Sequence, residues 1–208
     1  MKSQLTLVLA FVVVTSAVWA KPERVPILFG EENEPVIAIW REDWGLFSSN
    51  MGPFVVVAIW NDGKAIWSTN GVSGGPPYMT GRVDQEKLQL ALDDLKEKGV
   101  FVDPSVRKTN FGPDSFCTAM YIRRQKDVFI SRSWHELAEQ NPGCVASASG
   151  LTSLEGKSRE EYLSKEPADY RLYRAFWAYA RLSIDGLVPT SGETNTTLRF
   201  KFNRKLDE

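Results

Sequence analysis

Phe54-Val55-Val56-Val57-Ala58-Ile59-Trp60 runs into Asn61-Asp62-Gly63-Lys64, and Ala65-Ile66-Trp67-Ser68-Thr69 resumes the apolar run. Two apolar, β-branched stretches around Asp-Gly read as a β-hairpin. Asp62-Gly63 at the centre of a two-residue turn suits type I′, where both positions take positive φ. That register sets Ile59 opposite Ile66 and Ala58 opposite Trp67. Residues 54–60 are apolar at both parities, so this strand is expected to be covered on both faces.

On the N-terminal side, Val36 to Trp40 is a short β-type run and Ser48 to Pro53 is turn-like. On the other side, Asn70 to Tyr78 forms a Gly- and Pro-rich loop. Asp84 then caps a helix to about Lys98. Its stripe is Leu88, Ala91, Leu92 and Leu95, at i, i+3, i+4 and i+7. Gly99 and Val100 suit a Schellman ending, and Lys96 and Lys98 sit late, where the helix dipole favours cations.

Phe116–Arg123 and Val128–Arg132 predict a second hairpin. Ser158 to Glu161 matches a capping box, and Pro167 opens a long helix to about Ile184, ended by Gly186 and Pro189. That helix has a wide apolar face: Leu172, Tyr173, Phe176, Trp177, Tyr179, Ala180 and Ile184. Thr194–Asn203 alternates like a half-buried strand. The expected class is α+β: a mostly antiparallel sheet built from hairpins, with the Leu-rich helix and the long late helix packed on it.

Residues 1–20 read as a signal peptide. Lys2 is the positive start, Leu5–Val14 is an apolar run too short to span a membrane, and Ala20 suits the cleavage position. Residues 21–208 are then expected to form a single α+β domain, with 21–35 as an extended leading segment and with no membrane span or lipid anchor. The mature protein is expected to be exported, periplasmic or extracellular. Lys2 is the leader's one charge, so the formal net charge of −1 becomes −2. No basic excess points to nucleic acid. In an oxidising compartment the two cysteines, Cys117 and Cys144, suggest a disulfide, with two buried free thiols as the alternative.

The candidates for chemistry are few. His135 is the only histidine. His135-Glu136-x-x-Glu139 is one residue type short of a zinc-hydrolase motif, in which Glu136 would serve as base. The plainer reading makes Ser133 and Glu136 a capping box. His135 is then an ordinary first-turn residue, where His135→Asn is tolerated better than Ser133→Ala. A Cys–His dyad is the next candidate, with Cys117, or Cys144 if Pro142-Gly143 opens a helix there, reaching His135. No G-x-S-x-G, Walker A or G-x-G-x-x-G stretch occurs, and Ser105-Val106-Arg107-Lys108 lacks its companion motifs. The catalytic candidates reduce to His135, Glu136 and Cys144; no metal or cofactor is implied.

For binding, Arg171, Arg174 and Arg181 are placed on one side of the long helix, opposite its apolar face, where they could dock an anion. The plainer reading is a solvated face with local partners such as Asp185. Trp40, Trp60, Trp67 and Trp177 belong to segments assigned to the core, so Trp44 and Trp134 are the candidates for exposed stacking rings. Asn195-Thr196-Thr197 is a glycosylation sequon in a eukaryotic secretory path.

Residues 54–135 resemble uncharacterised exported bacterial domains of unknown function. The features that carry the likeness are the hairpin at Ile59-Trp60-Asn61-Asp62-Gly63, the Gly-rich loop, the Leu-rich helix ending in Gly99-Val100-Phe101, and Phe111-Gly112-Pro113-Asp114 before the second hairpin. The resemblance implies no activity. The sequence therefore points to a non-enzymatic exported binding or interaction module, with an unknown protein or small-molecule partner. The rival is an exported hydrolase centred on His135, thiol- or metal-dependent.

Overall fold

The computed structural model describes residues 27–28, 34–43, 53–101 and 116–202. The leader, Trp44 and Phe111 to Asp114 lie outside the described residues. In chain order the strands β1 (Ile27–Leu28), β2 (Ile37–Asp43), β3 (Phe54–Ile59), β4 (Lys64–Ser68) and β5 (Tyr78–Arg82) precede helix α1 (Gln85–Glu97). Then come β6 (Phe116–Arg124), β7 (Asp127–Ser133), the short helix α2 (His135–Ala138), β8 (Cys144–Ser147) and β9 (Gly150–Ser153). Helices α3 (Arg159–Leu163) and α4 (Ala168–Asp185) follow, then β10 (Glu193–Asn195) and β11 (Lys201–Phe202).

Seven strands form one antiparallel sheet in the order β10-β5-β4-β3-β2-β6-β7, and β1–β11 and β8–β9 are separate two-stranded ribbons. The expected α+β class is what the chain adopts. Period-two alternation divides the sheet's buried residues between two cores. Ile37, Ile39, Val57, Ile59, Met120 and Ile122 face the helices, where they meet Leu88, Leu92 and Leu95 of α1 and Tyr173, Trp177, Ala180 and Ile184 of α4. Ala38, Trp40, Val55, Ala58, Ile66 and Tyr121 face the other way, and Leu198 and Phe200 pack against them. The two-sided burial read from residues 54–60 holds.

The first hairpin exists, but its turn differs from the expected one. Observed pairs are Ile59 with Ala65, Ala58 with Ile66 and Val57 with Trp67, a slip of one residue. The Gly63 amide donates to the Trp60 carbonyl at 2.9 Å, and Gly63 alone of the turn takes positive φ, +82°. This is a three-residue loop closed by a glycine bulge, in place of a type I′ turn. Asp62 favours it, because its Oδ1 accepts from the Lys64 amide at 3.0 Å. Since a slip of one exchanges faces, Ile66 lies in the second core, away from Ile59.

Helix α1 follows the sequence reading closely. Asp84 accepts from the Glu86 and Lys87 amides at 2.8 and 3.2 Å. At the other end Val100 donates to the Leu95 carbonyl and Gly99 to that of Lys96, completing the Schellman pair. Ser158 caps α3 through the Glu161 amide at 3.0 Å. Helix α4 buries a narrower face than expected: Tyr173, Trp177, Ala180 and Ile184 are buried, while Leu172 is exposed.

Two readings fail for local reasons. The expected strand 194–203 breaks after Asn195, because Asn195 Oδ1 accepts from the amides of Thr197 and Leu198 and from the Thr197 hydroxyl, which turns the chain. The expected disulfide is not formed, and both cysteines are free. Cys117 lies in β6 on the face away from the helices, opposite Glu42, while Cys144 belongs to the β8–β9 ribbon. Residue 144 also opens a strand where a helix was expected.

Candidate functional site

Strands β2, β6 and β7 bring Arg41, Thr118 and Ser133 into one row: Arg41 pairs with Thr118, and Thr118 with Ser133. All three lie on the helix-facing side of the sheet. Helix α2 starts two residues after Ser133 and α4 passes beside it, so the short helix delivers His135, Glu136 and Glu139 between the sheet and α4.

His135 is buried, 7% exposed. Its ring stands edge-on to Trp177 at 5.4 Å and to Tyr173 at 6.1 Å. Ser133 Oγ lies in close contact with His135 Nδ1 and accepts from the His135 amide at 3.2 Å. Burial, reinforced by the positive charges of Arg174 and Arg41, holds the imidazole well below the ordinary histidine value of 6.5. It is therefore a neutral side chain packed in the core.

The expected capping box is absent. Ser133 bonds to the histidine, and Glu136 reaches away from the helix start. Its Oε1 accepts from Trp177 Nε1 at 2.8 Å and its Oε2 from Thr118 Oγ1 at 3.2 Å. Glu139 is held by Arg174 through two parallel bonds of 2.9 Å, and its Oε1 also accepts from the Ala146 amide at 2.9 Å. The two residues a zinc motif would set on one metal, His135 and Glu139, are thus committed to different partners. Among the described residues no group of three or more His, Cys, Asp or Glu gathers as a metal site.

The Cys117 thiol is not prepared as a nucleophile for this histidine. Cys117 donates to Glu42 Oε2 at 3.6 Å on the opposite sheet face, and burial, reinforced by the Glu42 charge, pushes its pKa far up. Glu42 also accepts from Trp40 Nε1 at 2.5 Å and from Arg132 Nε at 3.0 Å, so this carboxylate is a buried hub. At Cys144 the main-chain carbonyl accepts from Arg159 Nε at 2.9 Å.

The arginine reading of α4 is half corrected. Arg171 is exposed, as expected. Arg174 and Arg181 instead turn inward beside Trp177, because Glu139, just past the end of α2, and Glu136 on α2 attract them. Burial opposes the Arg174 charge, but hydrogen bonds to Glu139 and Tyr170 outweigh it and raise its pKa. Arg181 meets Asp185 at 3.3 Å, the local partner the sequence suggested, and its Nη2 donates to the Gly71 carbonyl at 2.9 Å. Burial raises the Asp185 pKa, against the pull of Arg181. Trp134 is half-buried. Trp40, Trp60, Trp67 and Trp177 are all buried, as expected.

Sequence reasoning missed Arg41, which is 4% exposed and donates from Nε to the Val72 carbonyl at 2.6 Å. Burial and the nearby Arg181 disfavour its charge, while Glu136 supports it. The available signal was a charged residue directly after the β-type run 36–40, at a position whose parity faces the helices.

Compared with known proteins, the chain matches no family model, no curated protein and no solved structure.

Proposed function

We propose that the chain is an exported binding or interaction module, and that its one histidine serves packing and not turnover. The observation that carries this reading is the surroundings of His135. A general base needs access to a substrate proton and a pKa near the working pH. His135 has aromatic rings of α4 on two sides and a pKa driven down by burial. Perturbed groups do cluster here, and such clusters are a mark of active sites. For His135, Tyr173, Arg41 and Asp185, however, burial is the leading cause, which a packed polar core supplies without catalysis. The leader-like residues 1–20 support export; N-terminal sequencing of secreted material should begin at Lys21.

A hydrolase different from the thiol- or metal-dependent one read from the sequence would rest on the Ser133–His135 contact, which has the look of a nucleophile and its base. Ser133 is 3% exposed, so an acyl group reaches its Oγ only if the core opens. A serine-directed fluorophosphonate on the folded chain, followed by peptide mapping, decides between the two. The binding-module reading expects no adduct at Ser133. An adduct there that disappears in a folded His135→Asn variant would establish the hydrolase instead.

A further inference from the structure

Where β2, α4 and the loop at residues 70–75 meet, two guanidiniums have fewer acceptors than they need. Arg41 spends Nε on the Val72 carbonyl, and its buried Nη1 has no hydrogen-bond partner among the described residues. Arg181 spends Nη2 on the neighbouring Gly71 carbonyl and Nε on Asp185, and its buried Nη1 also has no partner among the described residues. The two side chains hold adjacent carbonyls of one loop, and both lie within reach of the Glu136 charge, so they are neighbours. Glu136 relieves neither Nη1: its contact with Arg181 is to Nε, at 4.0 Å, and its hydrogen bonds run to Trp177 and Thr118.

Buried polar groups are normally satisfied, and an unsatisfied one calls for an explanation. Two neighbouring guanidiniums, each with an idle buried N–H group, make an environment that an added oxygen anion improves. It accepts the idle bonds and eases the repulsion that Arg181 exerts on Arg41. Arginine suits this role, since its planar fork matches the geometry of a carboxylate or phosphate. On the α4 side the side chains of Arg181, Glu136 and Asp185 are 18%, 21% and 51% exposed.

We propose that Arg41 and Arg181 form a binding site for a single oxyanion group, a carboxylate or phosphate carried by a small molecule, which completes the two Nη1 donors. The site gives the binding module its ligand class and rests on that reading. Glu136 and Asp185 limit it. They share the two arginines with any incoming anion, so the idle N–H donors favour one small oxyanion group and each further negative charge is opposed.

The test titrates the full chain with acetate and, separately, with inorganic phosphate, at constant ionic strength kept with chloride. Calorimetry gives the affinity, and the indole N–H resonance of Trp177, which donates to Glu136, reports the place. Saturable binding of either probe is expected, with a shift of that resonance. Arg181→Gln should weaken it at least tenfold. Arg41→Lys, which keeps the charge and removes the fork, should weaken it too. Arg171→Gln, exposed on the same helix, should leave it unchanged. A stronger acetate response assigns a carboxylate ligand, and a stronger phosphate response a phosphoryl one. The proposal is overturned by no saturable response to either probe, or by equal binding in wild type and Arg181→Gln. Such a result would leave the binding-module reading standing, whereas a Ser133 adduct would sink that reading without touching the anion site.

Discussion

Trp177 Nε1 donates to Glu136 Oε1 at 2.8 Å, and this bond joins the long helix α4 to the four-residue helix α2. It explains why Glu136 abandons the start of its own helix. A buried indole N–H needs an acceptor, and the Glu136 carboxylate is the one that reaches it. With Glu136 placed there, Arg181 is drawn inward and His135 is pressed between the rings of Tyr173 and Trp177.

The cysteines give the first prediction. Cys117 is fully buried and Cys144 partly exposed. Iodoacetamide on the native protein should label Cys144 alone, with Cys117 reacting only after unfolding. A reducing agent should leave Tm unchanged. A native mass lower by two hydrogens, with neither thiol reactive, would contradict the structure.

Gly63 gives the second. Its φ is +82°, and a Cβ there would stand 2.5 Å from the Val83 carbonyl oxygen. Gly63→Ala should therefore cost about 1–3 kcal/mol, the usual size of left-handed backbone strain in a residue with a side chain. Gly71→Ala, with none of the described residues within 4 Å of its Cβ, should stay within about 0.5 kcal/mol of wild type. Equal losses in denaturant melts would mean that the glycine-bulge turn is wrong.

Glu139 and Arg174 give the third. Their side chains are 11% and 13% exposed and meet in a bidentate pair. Removing one partner strands the other charge, so Glu139→Ala should cost about 3 kcal/mol. The double-mutant cycle with Arg174→Met should show a coupling of about 1–3 kcal/mol, as expected for groups in one network. Additive losses would show that the pair contributes nothing of its own.

What the sequence made legible was local. The cap at Asp84, the Schellman ending at Gly99 and Val100, the α4 limits and both hairpins follow from residue chemistry within a turn or two. The sheet's two-sided burial followed from residues 54–60. What failed depended on contacts distant in sequence, or on side chains choosing between near-equal partners. Ser133 had the His135 amide and ring available as well as a helix start, and took the histidine. Arg174 and Arg181 were placed outward by helical periodicity alone, but carboxylates on α2 and just past its end pull them in. The turn at Asn61-Asp62-Gly63 had two permitted geometries, and the Asp62 bond to the Lys64 amide goes with the longer one. At the candidate site the histidine and its glutamate were visible, whereas Arg41 became meaningful only once α4 and the loop 70–75 lay beside it.

His135 carries the central claim, and its protonation has a definite sign. Burial depresses the folded-state pKa, while the unfolded chain should titrate near 6.5. A depressed histidine favours the folded state fully above that pH. As pH falls below about 6.5 the unfolded chain gains a proton the folded one refuses, and stability should drop by up to roughly 1.4 kcal/mol per pH unit. The charges facing the ring, Arg174 on α4 and Arg41 on β2, act in the same direction.

Because the chain has one histidine, its imidazole Cε1–H resonance is unambiguous in an NMR pH titration. The account predicts a neutral ring with no titration between about pH 5.5 and 7.5 while the fold is intact, and protonation only with acid unfolding. A smooth titration near the ordinary histidine value, in a chain that stays folded, would mean that His135 meets solvent and can exchange protons with a substrate, and would contradict the packing role proposed for it.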